Sequence, residues 1–147
     1  MKTDDLIQKL EARGVKPTAI RLLILKAMLD SDHAVSLPEL EGTLETVDKS
    51  SIFRTVMLFL SHHLIHGIAD GSGMLKYAVC SDDCHCEANE LHTHFYCEHC
   101  HKTFCLTGLP VPLVKLPEGF SVSSVNYVVR GICPECRGID NGELIIY

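Results

Sequence analysis

"SSIFRTVMLFLSHHLIHGIADGSGMLKYAV", Ser50 to Val79, decides the fold of this 147-residue chain. Its first part is helical: Ile52, Val56, Phe59 and Leu60 recur at the spacing that lays an apolar stripe along one helix face, and Ser50 is a suitable N-cap. Then the period changes. "LIHGIAD", "GSG" and "MLKYAV" read as strand, glycine turn and strand, a hairpin directly after the helix. Upstream, Ser36 followed three residues later by Glu39 is a capping-box pattern. It opens a short helix ending near Leu44, which the link "ETVDK" joins to the Ser50 helix. Two short helices joined by a tight turn make a helix-turn-helix, and the hairpin behind them makes a winged helix. The second helix of such a unit enters a major groove by its amino-terminal end, which directs Lys49, Ser50, Ser51, Phe53 and Arg54 at DNA.

Two further helices precede this unit. Leu6, Ile7 and Leu10 follow a helical period from Thr3 to Arg13, with Gly14 as the stop. "KPTAIRLLILKAMLD" places Pro17 near a helix start and predicts Ile20, Leu23, Ile24, Ala27 and Met28 on one buried face. Lys16, Arg21 and Lys26 lie on the other face, where Lys16 and Arg21 join the candidate DNA contacts. His62, His63 and His66 follow the Ser50 helix, and a favourable interaction with its carboxy-terminal dipole accounts for them without metal ligation.

The composition shifts after the hairpin, at "CSDDCHCEANEL", so a boundary is placed near Ser81 with domains at 1–80 and 81–147. Beyond it come short β-type segments, "THFYC", "KTFCL" and "FSVSSVNYVVRGI". Cys97-x-x-Cys100 and Cys133-x-x-Cys136, 32 residues apart, each present two thiolates from one tight turn. Together they make a tetrahedral four-cysteine zinc site. "CPEC" alone would also suit a thioredoxin-like redox pair, but no βαβ context surrounds it and the second pair needs its own explanation. In the extended stretch "HTHFYC", His92 and His94 share one face while Phe95 and Cys97 share the other, so the histidines belong to a second metal site.

Eight cysteines in a chain expected to be cytoplasmic point to metal or redox chemistry before disulfides, and six of them fall between Cys80 and Cys105. No apolar run is long enough to span a bilayer, so no membrane partner is expected. A formal charge of −6 argues against indiscriminate polyanion binding, although a locally basic face remains compatible with it. The 46% hydrophobic content is enough for a real core.

Taken in order, "GVKPTAIRLLIL", "HAVSLPEL", "SSIFRTV", "HTHFYCEHC" and "GICPEC" resemble the ferric uptake regulator family of metal-responsive bacterial transcription repressors, over roughly Gly14 to Cys136. The resemblance implies an α+β fold, with an amino-terminal winged helix and a small carboxy-terminal α/β dimerisation domain carrying the four-cysteine zinc. It implies a homodimer on a palindromic double-stranded operator. It also implies a regulatory metal between the domains, whose ligands by position include His33, His92 and His94, with Cys80 as the nearest further donor. Several positions depart from the family. Ala78 stands where iron-sensing relatives place a carboxylate, Thr93 separates the paired histidines, Val125 replaces a common histidine, and Pro112 falls near a usual glutamate. A third, carboxylate and histidine site is therefore not expected, and the proline-broken "LTGLPVPLVKLPEGF" predicts that the usual helix there is shortened or missing.

Thiolate plus imidazole suits zinc better than oxygen-preferring ions, so the expected function is a zinc-responsive repressor of metal homeostasis genes. Iron, manganese or peroxide response is the alternative, with Asp82, Asp83, Glu87 and Glu90 as carboxylate sources. Catalysis is not expected. "HCE" at His85 to Glu87 followed by "CPEC" only partly matches a zinc-deaminase signature, because Ile132 stands where proline should precede the first cysteine. Cys84, His85, Cys86 and Cys105 are left without a role, as is the tail "LIIY".

Overall fold

A computed structural model describes residues 2–79, 92–123 and 125–137. Four helices come first: α1 Thr3–Ala12, α2 Ala19–Asp30, α3 Leu37–Thr43 and α4 Lys49–Ser61. The hairpin follows as β1 Ile65–Ala69 and β2 Leu75–Val79, paired antiparallel with Ile65 opposite Val79 and Ile68 opposite Lys76. A three-stranded sheet then forms from β3 His92–Cys97, β4 Thr103–Pro110 and β5 Val128–Gly131, in the order β4-β3-β5. β3 runs antiparallel to β4 and parallel to β5, and the short α5 Pro134–Arg137 closes the described chain.

Local chemistry explains most of the boundaries. Gly14 at φ +74° ends α1, a conformation glycine adopts without steric cost. The Thr18 hydroxyl accepts from the Arg21 N–H to cap α2, and the Ser36 hydroxyl accepts from the Glu39 N–H to cap α3. The N-cap of α4 corrects the sequence reading: Asp48, extended at ψ 134°, holds that place, and Ser50 lies inside the first turn, its hydroxyl donating to Asp48. Asp and Ser are about equally good N-caps, so the pattern could not choose between Asp48 and Ser50.

The buried face of α2 also differs from the expectation. Ile24, Leu25 and Met28 are buried, whereas Ile20 and Leu23 are 38% and 47% exposed. Apolar residues surround much of this helix, so periodicity alone does not fix its rotation. In α4 Ile52, Val56 and Phe59 of the expected stripe are fully buried with Leu10, Ile24, Leu25 and Leu40, while Leu60 is only partly buried at its edge. Among the described residues, only Val128–Gly131 of "FSVSSVNYVVRGI" is strand, and no helix occurs between β4 and β5. The domain boundary near Ser81 and the tail "LIIY" lie outside the described residues.

The two halves touch through the stretch after α2. Ala34 bridges to Thr103 of β4, with its N–H donating to the Thr103 carbonyl at 2.7 Å, and Val35 bridges to Tyr77 of β2. The hairpin thus sits beside the carboxy-terminal sheet.

Candidate metal centres and nucleic-acid face

Cys97 ends β3, Cys100 lies in the turn after it, and Cys133 and Cys136 flank the start and interior of α5. Their four sulfur atoms lie within 4.8 Å of one another, and Cys100 and Cys133 sulfurs are 3.8 Å apart. Cys97 and Cys133 are essentially inaccessible, and Phe95, Phe104 and Ile132 pack around them. Burial pushes the Cys97 thiol up, but backbone N–H groups of Cys100, Cys133 and His99 aim at its sulfur and bring it down to about 6. Cys136 is pushed up to about 12 by burial and by the neighbouring sulfurs. Four thiols this close cannot all ionise without a cation between them, and a soft divalent ion in tetrahedral geometry fits the set. This is the four-cysteine zinc site the spacing predicted.

The opposite face of the same strands carries a second donor cluster. His94 on β3 stands directly opposite Cys105 on β4, and His66 reaches them from β1 of the hairpin. The three donor atoms lie within 4.8 Å of one another. His66 Nε2 is 3.9 Å from the Cys105 sulfur, and the His66 and His94 ring centroids are 5.7 Å apart. Both ring nitrogens of His94 are shut off from solvent. Two imidazoles and a thiol are a donor set for a borderline or soft divalent ion.

The expected regulatory ligands fare unevenly. His94 is in the cluster. Cys80 lies outside the described residues, and His92 is placed only as the first residue of β3. His33 is elsewhere: its Nδ1 is 2.7 Å from Asp32 and its Nε2 contacts Glu39, while Lys102 lies 3.7 Å from the same Asp32 carboxylate. His66 corrects the sequence reading, which left it to the dipole of α4. His62 is the C-cap of that helix and its ring meets the Arg13 carbonyl, but His66 belongs to a strand and faces the sheet. Cys105 gains a neighbourhood through the β3–β4 register, which no spacing rule reveals. Cys84, His85 and Cys86 lie outside the described residues.

In the helical half, Lys49, Ser50, Phe53 and Arg54 are exposed on the first turns of α4, Phe53 by 51%. Arg21, Ser51 and Arg54 line one groove between α2 and α4. Arg21 donates to the Lys16 carbonyl at 2.8 Å, which joins Lys16 to the same surface.

Comparison with protein families and with curated proteins finds no match. Solved structures do match. A zinc uptake regulator complexed with zinc and DNA superimposes with a TM-score of 0.66 at 17% identity, over 96% of this chain and 99% of that one. A zinc-bound manganese uptake regulator gives 0.58 at 20% identity, over 90% and 99%. The ferric uptake regulator of Vibrio cholerae gives 0.57 at 16% identity, over 86% and 98%. The fold is that of the ferric uptake regulators. Within the ferric uptake regulator fold the four-cysteine cluster occupies the carboxy-terminal sheet, and the described residues contain no helix long and apolar enough to cross a membrane.

Proposed function

We propose that this chain is a metal-dependent, DNA-binding transcriptional repressor of the ferric uptake regulator family, responsive to zinc. The observation that carries the reading is the His66, His94 and Cys105 cluster, because its donors come from both halves of the molecule. His66 rides on the hairpin that follows α4, while His94 and Cys105 belong to the carboxy-terminal sheet. When bound, zinc supplies one positive centre to which two imidazoles and a thiolate are drawn together. Holding those three side chains at one point fixes the hairpin against the sheet. It thereby fixes the direction of α4, whose exposed Lys49, Ser50, Phe53 and Arg54 and half-buried Ser51 are assigned to the major groove, with Lys16 and Arg21 beside them. Cys80, the residue after β2 in the sequence, and His92, the first residue of β3, are the further donors we assign to this ion. His33 we assign instead to the corner with Asp32 and Glu39.

Zinc is favoured over iron or manganese because the donors the cluster gathers among the described residues are nitrogen and sulfur. A homodimer is supported by the exposed apolar side chains Leu113, Val114, Leu116, Phe120 and Val122, more than a lone soluble domain leaves uncovered on one segment. Two copies would set two α4 helices on successive major-groove faces of a palindrome. The reading places the protein in the cytoplasm and assigns it no catalytic residue.

The test is selection of duplexes from a random-sequence library in zinc, followed by titration of the enriched duplex by fluorescence anisotropy. Enrichment of a palindrome bound in zinc and released by a mild chelator is expected. Failure to enrich any sequence, or binding indifferent to the chelator, would contradict the reading.

A further inference from the structure

Two strand faces meet where the hairpin lies on the sheet, and the metal cluster occupies only one end of that contact. On β1, His66 and Ile68 point the same way as Ala78 and Lys76 opposite them on β2, and Asp70 continues that face. On the sheet, His94 and Tyr96 of β3 stand opposite Cys105 and Thr103 of β4. His66 therefore meets His94 and Cys105, and one strand step further along Asp70 and Lys76 meet Thr103 and Tyr96.

This second end is a buried ionic cluster. Asp70 is 2% exposed, Lys76 8% and Thr103 0%. Lys76 Nζ is 2.8 Å from Asp70 Oδ2, the Thr103 hydroxyl donates to the same oxygen, and the Ser72 N–H donates to the other at 2.8 Å. Lys76 also lies 5.6 Å from the Tyr96 ring centroid and 3.4 Å from the His101 carbonyl. The backbone of the same turn is held as well. Asn126 donates to the Ala69 carbonyl at 2.7 Å and Arg130 to the Asp70 carbonyl at 3.3 Å. At Gly71 the backbone takes φ +87°, the left-handed conformation that glycine adopts without steric cost, with the Arg130 guanidinium lying against it.

A buried ion pair gives little net stability over an apolar pair of the same volume, and its best-attested use is to fix one register against others. We infer that Asp70, Lys76 and Thr103 are positioning residues that seat the hairpin on the sheet in the one register that presents His66 to His94 and Cys105. The latch acts through the strand, two residues either side of Ile68, and touches no metal itself. It rests on the reading of the His66 cluster as a metal site. The seating is built by the protein alone, so the ion meets donors already gathered, and its affinity includes less of the cost of ordering two domains.

Thr103→Val, which keeps the shape and removes the hydroxyl, and Thr103→Ser, which keeps the hydroxyl, test this alongside Asp70→Asn. Each full-length protein is titrated with zinc against a chelating indicator, and zinc resistant to the chelator is counted as a check on the four-cysteine site. Thr103→Val and Asp70→Asn are expected to weaken the exchangeable zinc by about tenfold or more, the scale of a hydrogen bond to a charged group, with resistant zinc retained. Thr103→Ser should bind as the wild type does. Equal exchangeable affinity in all four proteins overturns the latch and leaves the metal site standing. Equal weakening in Thr103→Ser and Thr103→Val also overturns it, because the hydroxyl is then irrelevant. Absence of exchangeable zinc from the wild type removes the metal-site reading itself, and the latch with it. Should Asp70→Asn fail to fold, the Thr103 pair decides.

Discussion

Cys105→Ser exchanges a thiol for a hydroxyl of nearly the same shape, and the hydroxyl is a far poorer donor to zinc at neutral pH. Loss of even an outer partner of a metal ligand costs up to about 100-fold in affinity, so loss of this donor is expected to weaken the exchangeable ion by at least that much. Equilibrium dialysis reads the change, with the resistant zinc unaltered. His66→Ala should do the same, whereas His62→Ala should not, because the His62 ring is engaged with the Arg13 carbonyl. At the other surface, Arg54→Ala is expected to weaken duplex binding. If the side chain meets a phosphate, the loss is uniform across sequences and the salt slope falls by about one; if it meets a base, one operator position relaxes. The four-cysteine site was legible because paired CxxC turns carry their geometry in the sequence. His66 and Cys105 were not, because their meeting depends on which strands pair and in what register, and neither is encoded in local spacing.

The hairpin joins the helical half to the sheet, and acid should loosen it. Burial raises the Asp70 carboxyl, but Lys76, Ser72 and Thr103 outweigh burial and hold it well below the usual carboxylate range. With its folded pKa depressed, Asp70 stabilises the fold fully above the unfolded value of about 3.9, and that contribution fades as pH falls towards the folded value. Urea unfolding of wild type and Asp70→Asn should therefore differ by about 3–5 kcal/mol near neutrality, the cost of breaking a buried pair, and converge in acid. A difference independent of pH would place the effect elsewhere. Among the helices, Ser36→Ala removes the cap on α3 and is expected to cost about 1 kcal/mol by the same measurement. The elements themselves were largely readable, since caps, Gly14 and the turn around Gly71 and Gly73 punctuate the chain. The rotation of α2 was not, because Leu22, Leu23, Ile24 and Leu25 offer several equally apolar faces and only tertiary packing selects one.

For the whole molecule, assembly and metal content are the accessible properties. Phe120→Asp and Val114→Asp place charges in the exposed apolar segment after β4, and light scattering is expected to report a dimer for the wild type and a monomer for the double variant. A wild-type monomer at micromolar concentration would contradict the assignment of that face. The winged-helix half was legible as a unit because a helix pair and a hairpin follow one another without a break. The manner in which the two halves meet was not, since Ala34, Asp70 and Lys76 each meet Thr103 across a long stretch of chain. Whether one ion is held by the hairpin and the sheet together is read by metal analysis of anaerobically purified protein before and after mild chelation, then after reloading with zinc, for wild type and Cys105→Ser. One resistant and one exchangeable zinc per chain are expected in the wild type, and only the resistant one in the variant. A single resistant zinc in both, or an exchangeable zinc that survives the loss of Cys105 undiminished, would contradict that shared ion.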